Sequence, residues 1–300
     1  MPSTLAEFSQ QLANTVEKAG QSVVSVLEGG RAGVSGTVWR EGVGVVVDHT
    51  IQGLEEVTVV LPSGEETRAS VTGRDPGTDI ALLKLPTDTP AAALADDSSA
   101  RPGEIVLSVG RRGAEGLAAT YGLISAIGGP WRTSSGGRVD RWFRLDLNPF
   151  PGFSGGPIIN AGCEVLGIAT SGPGRSAAVV PASTVSRIVE QLLKHGRTVR
   201  GYIGIGVQPV AFPEDAWQTL GISGGRGLLI IAVAPDSAAT ESGLMLGDVI
   251  VDIDGKTLQS GASLQSILDG ENVGKSVSLG VVRGGQLQKV AVTVREKPAS

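Results

Sequence analysis

Gly73-Arg74-Asp75-Pro76-Gly77-Thr78-Asp79-Ile80-Ala81-Leu82-Leu83-Lys84-Leu85 is a turn that runs straight into a strand. The Asp-Pro-Gly step supplies the bend, because Pro fixes φ and Gly accepts backbone shapes closed to other residues. Ile80–Leu85 is apolar apart from Lys84, the pattern of a strand buried on both faces. Asp79 therefore stands at the mouth of an apolar strand, where an unpaired carboxylate is expensive to bury. Taken alone, Asp79 fits a turn residue and a charged member of a site equally well.

The same texture extends in both directions. Short apolar runs broken by Gly, Pro, Asp and Ser fall at Val23–Leu27, Gly36–Trp39, Val43–Val47, Val57–Leu61 and Ile105–Val109. They continue at Leu117–Ile127, Trp142–Leu147, Ile158–Ile159, Val165–Thr170 and Ala177–Val180. Strands at that density predict an all-β region large enough for two small barrels. Ahead of it, Leu5, Phe8, Leu12 and Val16 recur every three or four residues and predict an amphipathic helix within residues 1–20. Behind it, Val185, Ile188, Val189, Leu192 and Leu193 form one helical stripe, with Ser183 or Thr184 as N-cap and Gly196 as C-terminal glycine. His195 falls in the last turn of that helix and reads as an exposed end residue.

From Gly201 the pattern changes. Strand-like runs at Tyr202–Val207, Leu228–Val233, Val249–Ile253, Val277–Val282 and Val290–Val294 enclose short helical stretches at 237–242 and 262–268. That alternation predicts a small α+β domain. The expected domains are thus 1–20, 21–198 and 199–300, and the fold class is mainly β.

Composition narrows the function. Gly is 44 of 300 residues, about twice the usual 7%, which suits many tight turns. The net charge of −5 with no basic tract argues against nucleic acid as a partner. A single cysteine, Cys163, excludes an internal disulfide and a Cys-based zinc site. It lies in the strand-like stretch Ile158–Ala169 and reads as a buried, inert thiol. Two histidines, His49 and His195, cannot build a His-rich metal cluster, and no cofactor is expected. No run of eighteen apolar residues is present, so no membrane span is expected. Without a basic, then apolar, leader the chain reads as cytoplasmic, or as periplasmic if a leader has been removed.

The chemistry concentrates at Gly152-Phe153-Ser154-Gly155-Gly156-Pro157. A nucleophilic serine needs a tight, glycine-flanked bend that projects its hydroxyl and gathers backbone N–H groups around a developing oxyanion. A glycine-rich turn without function would read the same. The hydroxyl needs a base, for which His49 after strand Val43–Val47 is the one candidate, and the base needs an orienting carboxylate. Asp79 fits. The chain order His, Asp, Ser is that of the chymotrypsin-type arrangement, with the first two in one half of the β region and Ser154 in the other.

Thr78-Asp79-Ile80-Ala81-Leu82-Leu83-Lys84 and Ser154-Gly155-Gly156-Pro157, with Gly152 and Asp146 upstream, resemble the aspartate and serine motifs of the HtrA/Deg family of trypsin-like serine proteases. Tyr202-Ile203-Gly204-Ile205, Ala234-Pro235-Asp236-Ser237-Ala238-Ala239 and Gly243–Ile250 resemble that family's PDZ domain. The likeness runs from about residue 8 to 295. It implies a chymotrypsin-like double β-barrel followed by a PDZ domain, with His49 as general base, Asp79 as its orienting carboxylate and Ser154 as nucleophile. The N–H groups of Gly152, Phe153 and Ser154 would form the oxyanion hole. Phe150, Thr170, Ser171 and Gly172 would border a pocket for small or medium apolar side chains. In the PDZ domain, Tyr202, Ile203, Gly204 and Ile205 would form the carboxylate loop and first groove strand, faced by Leu264, Ile267 and Leu268.

The resemblance implies an ATP-independent endopeptidase of misfolded or unstructured protein, binding peptide C-termini and assembling as a homotrimer; Leu5, Phe8 and Leu12 would either make that contact or pack on their own barrel. Departures from the family pattern are Phe153 before the serine, Phe150 four before it, and Val45-Val46-Val47-Asp48 before the histidine. Asp48 is then expected to compete with Asp79 for the imidazole. The alternative function is a scaffold or chaperone with a silent protease cleft.

Overall fold

The computed structural model describes residues 4–296 apart from 29–30, 114–115, 134, 149, 172–176, 197–200, 214–217, 223–224, 259–263, 265–267 and 269–271. The chain divides into two compact units, Met1–Thr198 and Val199–Ser300.

In the first unit, helix α1 (Thr4–Gly20) leads into six antiparallel strands: β1 (Val23–Glu28), β2 (Arg31–Arg40), β3 (Val43–Val47), β4 (Glu56–Val60), β5 (Glu66–Asp75) and β6 (Ile80–Lys84). They close into a barrel in the order β1-β2-β3-β6-β5-β4. Closure removes the exposed edges that an open sheet would present. The next strands are β7 (Ile105–Arg111), β8 (Leu117–Gly128), the short hairpin β9 (Trp131–Arg132) and β10 (Arg138–Val139), then β11 (Trp142–Asp146), β12 (Pro157–Asn160), β13 (Val165–Ser171) and β14 (Ala177–Pro181). Six of these form a second sheet, β11-β8-β7-β12-β13-β14, that curls until its end strands meet. The sequence expectation missed β5. Its run ETRASVTGRD holds few apolar residues, and only Ala69, Gly73 and Asp75 are buried.

The two barrels share one core. Val45, Ile80 and Leu82 from the first meet Leu107, Val109, Ile159 and Ile168 from the second, and helix α2 (Ala182–His195) covers both with Val185, Ile188, Val189 and Leu192. Each of these α2 side chains contributes at most about 1.5–3 kcal/mol of burial. Gly196 ends α2 in the left-handed region at φ 70°, its N–H bonded to the Leu192 carbonyl. The N-terminal end departs from expectation. The cap position is Pro181, without a side-chain cap. Instead the Ser183 N–H and hydroxyl both donate to Asp97 Oδ2, at 2.9 and 2.7 Å, so a carboxylate distant in sequence satisfies the helix end. Thr184 is occupied elsewhere, accepting the Asp140 N–H. Cys163 also departs: it occupies the turn between β12 and β13 at φ 64°, half-buried, with its thiol directed at the Thr15 carbonyl of α1. Partial burial pushes its pKa up, so the thiol stays protonated and inert.

The second unit contains β15 (Gly201–Tyr202), β16 (Ile205–Ala211), β17 (Arg226–Val233), the short helix α3 (Ala238–Glu241), β18 (Val249–Ile253), β19 (Lys256–Thr257), β20 (Ser276–Arg283), β21 (Gln286–Thr293) and β22 (Arg295–Glu296). Its main sheet runs β16-β17-β18-β20-β21 around a core that includes Ile203, Leu228, Ile250, Leu279 and Val292. The expected strand Tyr202–Val207 is broken at Ile203-Gly204. Gly204 has φ 88°, and a Cβ there would lie 2.2 Å from that of Ser237.

Candidate active site between the two barrels

β3 ends in a single 3₁₀ turn, Asp48–Thr50, which carries His49 at the barrel rim. Asp79 occupies the turn between β5 and β6 at φ 61°, a left-handed shape that Asp tolerates better than most residues. The turn ahead of it is self-bonded: buried Asp75 accepts the Thr78 hydroxyl at 2.6 Å and the Gly77 N–H at 3.2 Å. Antiparallel pairing of Val47 with Ile80 brings the two turns together. His49 Nδ1 then lies 2.7 Å from Asp79 Oδ2 and 2.9 Å from Oδ1, and the His49 main-chain N–H also donates to Oδ1 at 2.9 Å. One carboxylate thus fixes both the ring and the backbone of the histidine. An ionised Asp79 can only accept, so Nδ1 carries the proton and Nε2 keeps its lone pair.

The second barrel supplies a further bond to this carboxylate. Thr170, on β13, donates its hydroxyl to Asp79 Oδ2 at 2.5 Å. The sequence reading put Thr170 in the substrate pocket, but its hydroxyl is committed to Asp79. Ser171 ends β13, and Gly172 lies outside the described residues.

Ser154 sits in the turn before β12, whose shape is dictated by close approach of β2. Ser35 is fully buried on β2. Its N–H is shared between the Gly152 and Ser154 carbonyls, at 3.0 Å each, and its hydroxyl donates to the Gly152 carbonyl at 2.7 Å. Thr37, two residues along the same strand face, donates to the Gly155 carbonyl at 2.9 Å. Gly155 N–H bonds the Ala169 carbonyl of β13 at 2.8 Å. A side chain at Gly155 is excluded twice over: φ is 84°, and a Cβ would lie 2.0 Å from the Ser35 carbonyl oxygen. Ser35 and Thr37 were not foreseen as part of the site. Their signal in the sequence was two hydroxyl residues, separated by Gly36, in a strand otherwise built to be buried.

The three expected oxyanion donors do not share one fate. Phe153 N–H is spent on the Phe150 carbonyl at 3.2 Å, which removes it from the donor set. The N–H groups of Gly152 and Ser154 donate to no group among the described residues. Ser154 Oγ likewise makes no hydrogen bond among the described residues, to His49 or to any other group. Such contacts commonly tighten only with substrate in place. Phe153 is buried, and Phe150 is 55% exposed, packed edge-on to it at 5.8 Å between centroids. Phe153 therefore belongs to the core under the turn, while Phe150 faces solvent beside it.

The expected competition from Asp48 does not occur. Its carboxylate is buried and turned to Arg74 Nη1 at 2.6 Å.

In the second unit, β16 is an edge strand of its sheet. Ile203 and Gly204 precede it with their carbonyls bonded to Ala239 and Ala234 N–H, both at 2.8 Å. The Ile203 and Leu264 side chains are buried in the core, so these two expected groove residues pack the domain rather than line an open groove. Leu268 is partly buried against the same core, Tyr202 pairs with Arg295, Ile205 opens β16, and Ile267 lies outside the described residues.

Two barrels with a histidine–aspartate pair on one and a glycine-bounded serine turn on the other define a trypsin-like fold, here with an appended PDZ-type domain. Comparison with known proteins agrees. Residues 34–168 match the trypsin-like peptidase domain and residues 201–294 the PDZ domain. The chain is 32% identical over 259 residues to a probable periplasmic serine endoprotease DegP-like of Halomonas elongata, covering 84% of this chain and 54% of the relative. A protein of the same description from Brucella suis is 32% identical over 268 residues, covering 86% and 51%. The chain spans about half the length of the curated relatives it matches. Among solved structures, the HtrA-type protease AlgW with tripeptide superposes with a TM-score of 0.76 at 27% identity, covering 96% of this chain and 98% of that one. The serine endoprotease from Yersinia pestis gives 0.77 at 25% identity, with 99% and 100% coverage. The chain belongs to the HtrA/Deg family of trypsin-like serine proteases with a PDZ domain.

Proposed function

We propose that this protein is an ATP-independent serine endopeptidase acting on misfolded or unstructured polypeptides. The observation that carries the reading is the His49 Nδ1–Asp79 Oδ2 contact of 2.7 Å, held from the other barrel by Thr170. With Nδ1–H bound to Asp79, Nε2 takes the proton of Ser154 as Oγ attacks the scissile carbonyl. The N–H groups of Gly152 and Ser154 receive the oxyanion; each such donor is worth about 2.7–4 kcal/mol in the transition state. The imidazolium then protonates the leaving amine, and a water activated by His49 releases the acyl group.

Exposed Phe150 beside the turn supports a preference for small or medium apolar side chains at the cleavage site. In the second unit the outer edge of β16, unpaired among the described residues and preceded by Ile203 and Gly204, suits a peptide C-terminus added as an extra strand. Assembly as a homotrimer belongs to the same reading. Leu5 and Phe8 are exposed on α1, while Leu12 and Val16 pack inward. The relatives are named serine endoproteases, which gives the silent-scaffold alternative no support. They are also named periplasmic, so we place the protein there; the cytoplasmic reading gains no support from them. No described helix is long and apolar enough to cross a membrane.

Degradation of an unfolded casein by the wild-type protein, with Ser154→Ala as control, tests the activity. Loss in the variant is expected, and equal residual activity in both would sink the assignment.

A further inference from the structure

The first barrel contains a part-buried ion pair beside the proposed base that the triad does not use. Asp48 immediately precedes His49, and its side chain is only 7% exposed. A carboxylate buried to that degree needs a counter-charge, which Arg74 supplies at 2.6 Å. Arg74 sits on β5, two strands away from β3 in the barrel order, and reaches across beneath the turn. Its other terminal nitrogen, Nη2, donates to the Ile51 carbonyl at 2.9 Å and to the Leu54 carbonyl. One guanidinium therefore engages the residue before His49 and two carbonyls after it. The turn itself is tied on by the Asp48 N–H to the Asp79 carbonyl at 3.2 Å.

We infer that Arg74 and Asp48 are positioning residues for His49: their ion pair pins the turn that carries the base and cancels the charge next to the imidazole. Asp48 alone would place a second carboxylate beside a histidine already bonded to Asp79. Arg74 alone would place an unpaired cation there. Together they hold the turn and offset each other's charge, while Asp79 is the carboxylate bonded to the ring. Among the described residues, the charged groups seen bonded to the His49 turn are Asp79 on the β5–β6 turn, Asp48 on the turn itself and Arg74 on β5. A guanidinium suits this place because its planar fork serves a carboxylate and backbone carbonyls at once, which an ammonium cannot. The inference rests on the proposed role of His49 as base, and its test is arranged so that the two can fail separately.

His49 and His195 are the only histidines in the chain, so the ring titration of His49 can be followed by NMR in the Ser154→Ala protein, with the helix-end His195 as internal control. This readout needs no catalysis. Asp48→Asn leaves Arg74 unpaired and is expected to move the His49 midpoint down by about one unit, with His195 unmoved. Asp48→Asn combined with Arg74→Gln is expected to return the midpoint to within about 0.3 unit of the parent, because both charges are gone. In the protein with Ser154 intact, Arg74→Gln is expected to lower kcat about tenfold while KM changes less than twofold, because the turn has lost its pin. Arg74→Lys, which keeps the charge but not the fork, should retain the parent titration and lose about threefold in kcat. It also keeps the test open if Arg74→Gln fails to fold. An unmoved His49 midpoint in Asp48→Asn, or an unchanged kcat in both folded Arg74 variants, overturns the inference. Failure of a fluorophosphonate probe to label the wild-type Ser154 would instead overturn the protease reading and leave the titration result standing.

Discussion

The two barrels contribute to the site by different physical means. The first holds its half with side chains: Asp79, Asp48 and Arg74 surround the His49 turn with charge-assisted bonds. The second holds its half with backbone: glycine conformations and carbonyls clamped by Ser35 and Thr37 fix the Ser154 turn. A base must be oriented and its charge balanced, which calls for ionised partners at short range. An oxyanion site needs main-chain N–H groups aimed at one point, which calls for residues without Cβ and for a rigid neighbour to press against. Chemical role therefore dictates which kind of contact each barrel uses.

The contrast can be broken by exchanging the kind of damage. Asp79→Asn keeps the left-handed turn, because Asn also tolerates φ 61°. It removes the charge that selects the Nδ1–H tautomer. A loss of about 10⁴ in kcat is expected with little change in thermal stability, measured by single-turnover cleavage of a casein substrate. Gly155→Ala should show the opposite signature. A Cβ 2.0 Å from the Ser35 carbonyl forces β2 and the turn apart, costing about 3 kcal/mol or more in urea unfolding. Its activity should fall with the fold; a stable, active variant would show that β2 does not template the turn. Thr170→Val tests the bridge between the halves. It deletes the hydroxyl bonded to Asp79 Oδ2, and a loss of about tenfold in kcat with KM nearly constant is expected.

The smallest effect on activity is a control in the other unit. Arg283 pairs with buried Asp248 through two contacts of 2.7 Å. That hydrogen bonding holds the Asp248 carboxyl below the usual carboxylate range, against the opposing effect of burial. A carboxylate whose pKa is lowered on folding stabilises fully above its unfolded value and loses that stabilisation as pH falls through the folded one. Arg283→Met should therefore cost about 2 kcal/mol near pH 7, with the difference shrinking below about pH 4. Because this pair lies outside the protease unit, esterolysis of a small activated ester by Ser154 should be unaffected. A changed rate would mean that the two units report on each other.

Most of this architecture was legible because barrel strands with apolar cores announce themselves. β3 and β18 have the bounds their patterns predicted. β5 was illegible because a barrel strand with few buried positions can be made of Thr, Arg, Ser and Gly. The motif residues His49, Asp79 and Ser154 stood out through flanking glycine and apolar strands. What surrounds them did not. The Asp97 bonds to Ser183 and the Arg74 bond to Asp48 join residues far apart in sequence, and neither end carries a local pattern. Ser35 reads as an ordinary strand hydroxyl until the Gly152 carbonyl is placed against it.

One last consequence follows from that clamp. The shape of the Ser154 turn is borrowed: it exists only where β2 of one barrel has docked on the other, with Arg111 N–H bonded to the Ser35 hydroxyl and the Arg111 guanidinium bonded to the carbonyls of Gly20 and Val23. A chain in which a single barrel has formed carries a serine with neither its base nor its oxyanion pocket. Under the proposed reading, hydrolysis therefore begins only at the step where the two barrels have docked.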